Sequence, residues 1–235
     1  MRRGALVVFA KAPEPGRVKT RMCPPLTPDQ AAALYGCMLD DVLEASARFC
    51  AEAGVALVVA VDPPGACASL AERLDASRRG AARDAAFVAQ RGRDLGARMQ
   101  TAIAEAAAAG CERVVLRGSD SPALPAARLA EAFAALERAD VVLAPDRDGG
   151  YAAIGVRRPH AGLLDHAMST PRVAQDTLAR AGALGLRARL LAPGFDLDDA
   201  ADLAHLARER ASLDARACRR TLRKLDDEGW WPAPA

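Results

Sequence analysis

Four short stretches of this 235-residue chain collect side chains that could do chemistry. In the first, Lys11, Arg17, Lys19 and Arg21 fall within eleven residues, among Pro13, Pro15 and Gly16. Proline fixes the backbone and glycine lets it approach a ligand closely. Lys and Arg neutralise phosphate oxygens, Arg with a two-pronged fork. The stretch therefore reads as a phosphate-binding loop with Lys11, Gly16, Arg17, Lys19 and Arg21 as contacts; a solvated basic loop is the alternative. It is not a Walker A loop, because Gly16-Arg17-Val18-Lys19-Thr20 has the wrong spacing. The second stretch is Gly118-Ser119-Asp120-Ser121-Pro122. An Asp flanked by small residues suits Mg²⁺ or Mn²⁺, which take hard oxygen ligands from one or two carboxylates and substrate phosphates. A turn or helix-capping Asp is the alternative. The third is Phe195-Asp196-Leu197-Asp198-Asp199-Ala200-Ala201-Asp202-Leu203. Acids favour helix starts, yet four together repel unless a cation or capping amides absorb the charge. Asp196 and Asp198 face the same way in an extended segment, and Asp198 is the favoured metal ligand. The fourth, Pro145-Asp146-Arg147-Asp148-Gly149-Gly150-Tyr151, is either a hairpin turn or a surface that sets Asp148, Gly149, Gly150 and Tyr151 against an acceptor or sugar. A weaker fifth signal, Gln90 to Met99, mixes glycines and arginines. There Arg98 reads a nucleotide or pairs with an acid.

The elements that must position these residues alternate along the chain. Ala5–Ala10 is a short, non-alternating apolar run, as expected of a strand buried on both faces. Thr27-Pro28-Asp29-Gln30 opens a helix with a capping box, Leu34, Met38, Val42, Ala45 and Phe49 follow at helical spacing, and Gly54 closes it. Val55–Val61 is the next strand, so the start reads as a βαβ unit with a right-handed crossover. Strands then follow at Ala85–Ala89, Val114–Leu116, Val141–Ala144, Tyr151–Val156 and Leu186–Leu191. Helices are predicted over Leu95–Ala109, Ala126–Arg138, Pro171–Ala183, Asp198–Arg210 and Leu213–Leu225. The expected fold is α/β, a mostly parallel twisted sheet with helices on both faces. One domain is expected over 1–235, with its core over about 5–210 and a C-terminal helix and tail over 211–235. In such sheets ligands bind at the carboxyl ends of strands where strand order reverses.

Bulk properties narrow the classes. Apolar residues make up 51% of the chain but aromatics only 4%, so aliphatic side chains and Ala must fill the core. A net charge of +2 argues against a dedicated nucleic-acid binder. Cys23, Cys37, Cys50, Cys67, Cys111 and Cys218 form no C-x-x-C pair, which argues against zinc and for free thiols in a reducing cytosol. Ala5–Ala10 after Arg2 and Arg3 is too short for a signal peptide, and no stretch is apolar enough to span a membrane. The expectation is a cytoplasmic protein, with a homodimer among the admissible assemblies.

Phe9-Ala10-Lys11-Ala12-Pro13, Lys19-Thr20-Arg21, Gly118-Ser119-Asp120-Ser121-Pro122, Asp148-Gly149-Gly150-Tyr151, Asp196-Leu197-Asp198 and Asp202-Leu203 together resemble the DUF2064 family. That family is regarded as glycosyltransferase-like, has members linked to arsenosugar biosynthesis, and is placed in the nucleotide-diphospho-sugar transferase superfamily of GT-A fold. The match runs in order over about residues 5–205. More distantly, Lys19-Thr20-Arg21-Met22 and Met38-Leu39-Asp40-Asp41-Val42-Leu43 are similar to stretches of 2-phospholactate guanylyltransferase. Asp198-Asp199-Ala200-Ala201-Asp202-Leu203 is similar to the Asp-Thr-Pro-Glu-Asp-Leu of CMP-Kdo synthetases, whose first Asp binds metal, although Thr and Pro are missing here.

The resemblance implies Asp120 and Asp198 as metal ligands, Mg²⁺ or Mn²⁺ as cofactor, and Lys11, Gly16, Arg17, Lys19, Arg21, Arg98 and Ser119 as nucleotide contacts. Lys19 and Arg21 would stabilise the departing nucleotide and Asp148 would orient or deprotonate an acceptor hydroxyl. Two departures stand out: a Pro-rich loop replaces the Gly-rich loop of nucleotidyltransferases, and Ser119-Asp120-Ser121 replaces the Asp-x-Asp of many GT-A glycosyltransferases. The expected function is metal-dependent glycosyl transfer from a nucleotide-diphosphate sugar to a small-molecule acceptor. Nucleotidyl transfer from an NTP to a phosphorylated small molecule, and a non-catalytic nucleotide- or sugar-binding module, are the alternatives.

Overall fold

The computed structural model describes residues 4–77, 85–213 and 217–232. Met1–Arg3, part of the leader reading, lies outside them, as does part of the helix expected over Leu213–Leu225. Among the described residues seven strands form one sheet: β1 (Gly4–Lys11), β2 (Ala56–Asp62), β3 (Ala85–Ala89), β4 (Arg113–Gly118), β5 (Val141–Pro145), β6 (Tyr151–Val156) and β7 (Ala188–Leu190). Their order is β3-β2-β1-β4-β6-β5-β7. All neighbours are parallel except the pairs made by β6, which runs antiparallel to both β4 and β5.

The continuous apolar run of β1 follows from burial on both faces. Leu6, Val8 and Ala10 pack into one core and Ala5 and Val7 into the other, all fully buried. Each of the Leu and Val side chains among them contributes about 1.5–3 kcal/mol when removed from water. The first core is roofed by α1 (Pro28–Ala53), α2 (Cys67–Ser77) and α4 (Ala126–Ala135), the second by α3 (Leu95–Ala108) and α5 (Val173–Ala183). A third cluster packs α1 against α6 (Ala200–Glu209) and α7 (Arg219–Glu228).

Local signals explain most boundaries. Thr27 and Gln30 form the expected capping box, and Gly54 ends α1 at φ 66°, a left-handed conformation that glycine adopts without strain. The helix α2 carries only the short stripe Cys67, Leu70 and Leu74 and has no counterpart in the sequence reading. The last helix departs from expectation: it begins at Arg219, not Leu213. Its start is set from outside. Asp41 of α1 accepts hydrogen bonds from the backbone N–H of Arg220 (3.0 Å) and of Thr221 (2.8 Å), and from the Thr221 hydroxyl (2.8 Å). These satisfy donors that a helix N-terminus otherwise leaves unpaired.

Strand order reverses between β1 and β4, so a crevice opens beyond their carboxyl ends. Because β6 is antiparallel, the β5–β6 hairpin turn and Tyr151 lie at that same edge.

Candidate active site

The loop after β1 is held by what it buries. Val18 and Met22 sit in the core, and Met22 N–H closes a turn onto the Lys19 carbonyl (3.0 Å). Between them Lys19 takes φ 49°, a left-handed conformation uncommon for a residue with a Cβ. Strain of this kind, about 1–3 kcal/mol, collects at functional sites. The conformation sends the Lys19 side chain inward, where it is only 4% exposed.

There Lys19 Nζ meets both Asp120 and Asp198, at 2.6 Å from Asp198 Oδ1. The backbone enforces this meeting, since Leu197 N–H donates to the Asp120 carbonyl (2.9 Å) and ties the two acidic stretches together. Beneath them Arg117 is buried and donates to the Ser121 carbonyl (2.8 Å), which fixes the loop that carries Asp120. Burial alone would lower the Lys19 pKa, but the two carboxylates outweigh it and raise it. Burial alone would likewise raise Asp198, but Lys19 holds it below the ordinary carboxylate range. Arg21 stands outside, 69% exposed, with its guanidinium 3.8 Å from Asp198 and 3.7 Å from Asp199.

The four acids of the third stretch divide their labour. Asp199 and Asp202 form the capping box of α6: Asp199 accepts from Ala201 and Asp202 N–H, and Asp202 accepts from Asp198 and Asp199 N–H. Asp198 is thereby free for Lys19. Asp196 touches both groups, with its side chain hydrogen-bonded to Asp198 and its segment lying by the β5–β6 turn. Gly194 N–H bonds the Pro145 carbonyl (2.8 Å), laying this segment beside the β5–β6 turn. Oxygens of Asp146, Asp148 and Asp196 then lie within 4.8 Å of one another. No cation pairs with any of the three among the described residues, and one oxygen of Asp146 is buried without a hydrogen-bond partner. Burial, together with the neighbouring carboxylates, pushes Asp146 up to about 8 and Asp196 up to about 7.

A cleft of about 580 Å³ lies over the loops that carry Lys19, Asp120 and Asp198, a size usual for a small-molecule site. Of the residues picked out from sequence, Lys11, Arg17, Lys19, Arg21, Arg98, Ser119, Asp120, Tyr151 and Asp198 line it. Arg98 pairs with an acid, Asp62, at 3.2 Å, and also lines the cleft. Gly16 is not among the lining residues; its φ of 73° serves the turn. Asp148, Gly149 and Gly150 stand beside the cleft in the hairpin turn, where Asp148 accepts from Gly150 N–H (2.8 Å). A Cβ on Gly149 would collide with the Pro171 backbone, so close packing against the start of α5 requires glycine there.

Sequence reasoning missed Tyr35 and Asp62 in the lining, and Asp146 as a partner of Asp148, while Gln90, the first residue of the weak fifth stretch, does line the cleft. Gln90 lies at the carboxyl end of β3 and donates to the Ala10 and Ala60 carbonyls, joining β1 and β2. Its place just after a strand was the available signal. Tyr35 lies inside a helical apolar stripe and carries no such mark.

The family model described as "Uncharacterized protein conserved in bacteria (DUF2064)" matches residues 42–170. No curated protein matches the sequence. Among solved structures, the chain is similar to a candidate nucleotide-diphospho-sugar transferase from Desulfovibrio desulfuricans, with 30% identity, a TM-score of 0.82, and coverage of 97% of this chain and 96% of the other. It shares its fold with a cytidylyltransferase from Leptospira borgpetersenii, at 12% identity, a TM-score of 0.55, and coverage of 100% and 99%. It also shares it with a 4-diphosphocytidyl-2C-methyl-D-erythritol synthase from Anaerococcus prevotii, at 8% identity, a TM-score of 0.54, and coverage of 84% and 93%.

Proposed function

Since the chain belongs to the DUF2064 family, we propose that it is a transferase acting on a nucleotide-diphosphate sugar, with a small molecule as acceptor. The observation that carries this reading is the convergence of Asp120 and Asp198 on one ammonium at the switch point of the sheet. Two carboxylates from distant stretches aim at a single place where positive charge fits. Such hard oxygen donors also suit Mg²⁺ or Mn²⁺, and Asp120 and Asp198 would hold the ion. When bound, it would neutralise charge on the diphosphate.

The chain's own residues supply the rest. Lys11, Arg17, Lys19 and Arg21 line the cleft with positive charge, which stabilises a departing nucleoside diphosphate. Arg98 and Ser119 contact the nucleotide. Asp148 and Tyr151, with the turn at Gly149 and Gly150, face the acceptor. Asp148 orients or deprotonates its hydroxyl.

Nucleotidyl transfer is the second reading. It is favoured by the fold shared with a cytidylyltransferase and by the single Asp of Ser119-Asp120-Ser121. The test incubates the protein with NTPs and a panel of phosphorylated small molecules, and separately with nucleotide sugars and acceptors, each with and without Mn²⁺. The expected result is release of nucleoside diphosphate from one nucleotide sugar. Pyrophosphate release from an NTP in the absence of any nucleotide sugar would replace the first reading with the second.

A further inference from the structure

Tyr35 is 1% exposed, and its hydroxyl sits where the loops after β1 and β4 meet. It accepts a hydrogen bond from Lys11 N–H at 3.0 Å and lies 2.7 Å from Ser119 Oγ. Two proton arrangements are open. If Ser119 donated to Tyr35, the phenolic hydrogen would have no acceptor among the described residues and would be buried unpaired, which is costly. If Tyr35 donates to Ser119, the hydrogen left over is that of Ser119. That residue lines the cleft and has no other hydrogen-bond partner among the described residues. The second arrangement places the free donor where a ligand can use it.

We propose that Tyr35 is a positioning residue that commits the Ser119 hydroxyl to donate a hydrogen bond to a phosphate oxygen bound in the cleft. The backbone bond from Lys11 fixes the tyrosine as acceptor on one side, so its hydrogen goes to Ser119 on the other. Ser119 is then a dedicated donor, not a rotor free to choose. This inference rests on the reading of the cleft as a diphosphate site and names the group that selects its ligand's oxygens. Donors held in place before the ligand arrives cost nothing to orient when it binds.

Inorganic pyrophosphate, titrated by calorimetry, is the probe, because it presents the diphosphate shared by both transferase readings. Wild type is expected to bind. Tyr35→Phe, which keeps the ring, and Ser119→Ala are each expected to weaken binding about tenfold. The double variant is expected to be no weaker than Ser119→Ala alone, because Tyr35 acts through Ser119. A double variant weakened about a hundredfold, the product of the single effects, would show that Tyr35 merely braces the loops and would overturn the proposal. A wild type that does not bind pyrophosphate would remove the diphosphate reading itself, a different failure. Fluorine spectroscopy guards against a Tyr35→Phe protein that does not fold. The chain has two tyrosines, so 3-fluorotyrosine labelling with Tyr151→Phe as the assignment control isolates the Tyr35 signal. Saturating pyrophosphate should move that signal in wild type and leave it in place in Ser119→Ala; an equal movement in both would also overturn the proposal.

Discussion

Two groups of carboxylates stand side by side at the edge of the sheet, and they are balanced in opposite ways. Asp120 and Asp198 share the ammonium of Lys19, so their charge is met from within the chain. Asp146, Asp148 and Asp196 have no cation paired to them among the described residues, and burial, with repulsion from one another and from Asp198, pushes Asp146 up to about 8 and Asp196 up to about 7. The same residue type thus ends up below its ordinary pKa in one group and well above it in the other. The first group is a preassembled ion cluster. The second holds repulsion that a proton or a bound cation relieves, which is how acids are tuned for proton transfer near pH 7.

Removing Asp120 tests the functional half of this contrast most severely. Asp120→Ala is expected to lower turnover by about a thousandfold or more. Because Asp198 still pairs with Lys19, the melting temperature should move by no more than about 2 °C. A parallel loss of melting temperature and activity would assign Asp120 to structure instead. Lys19→Met attacks the balance directly. It leaves two carboxylates facing each other and should cost about 2 kcal/mol, read as several degrees in Tm, along with most of the nucleotide affinity. An unchanged Tm would show that the ammonium adds nothing to the cluster.

The second group calls for a pH experiment. Asp146 is protonated in both states at low pH. Between about pH 4 and about 8 the unfolded chain has lost a proton that the folded chain keeps, so folding stability falls across that window as pH rises. In metal-free protein, Asp146→Asn should flatten this fall and raise Tm by about 2–4 °C at pH 8. Identical pH profiles for wild type and variant would show that the repulsion is not stored there. The smallest effect belongs to the exposed Arg21: Arg21→Ala should weaken nucleotide binding about threefold at low salt and hardly at all at high salt. A loss that ignores salt would place Arg21 inside the cleft rather than at its rim.

Much of this arrangement can be read along the chain, and what cannot has a physical reason. The apolar run of β1, the Thr27–Gln30 box and Gly54 are local signals, and the elements they predict are present. Asp120 and Asp198 could be paired because each follows a predicted element at an end where ligands bind. The role of Lys19 in joining them could not, because it depends on a left-handed backbone at a non-glycine residue. Asp146 was seen only as part of a turn, since its partner Asp196 is brought by the backbone bond from Gly194 to Pro145. The start of α7 was misplaced for a similar reason: its cap is Asp41, a residue from the opposite end of the sequence.

That distant cap has a practical consequence. The helix α1 works as a beam with a fitting at each of two points, Tyr35 gripping the loops after β1 and β4 and Asp41 receiving the C-terminal helix. Shortening the protein after Ser212 would not be cosmetic trimming. It would take away the donors that Asp41 accepts from and bare Met38 and Leu34 where Leu225 now packs, and the loosening would be passed along the beam to the cleft.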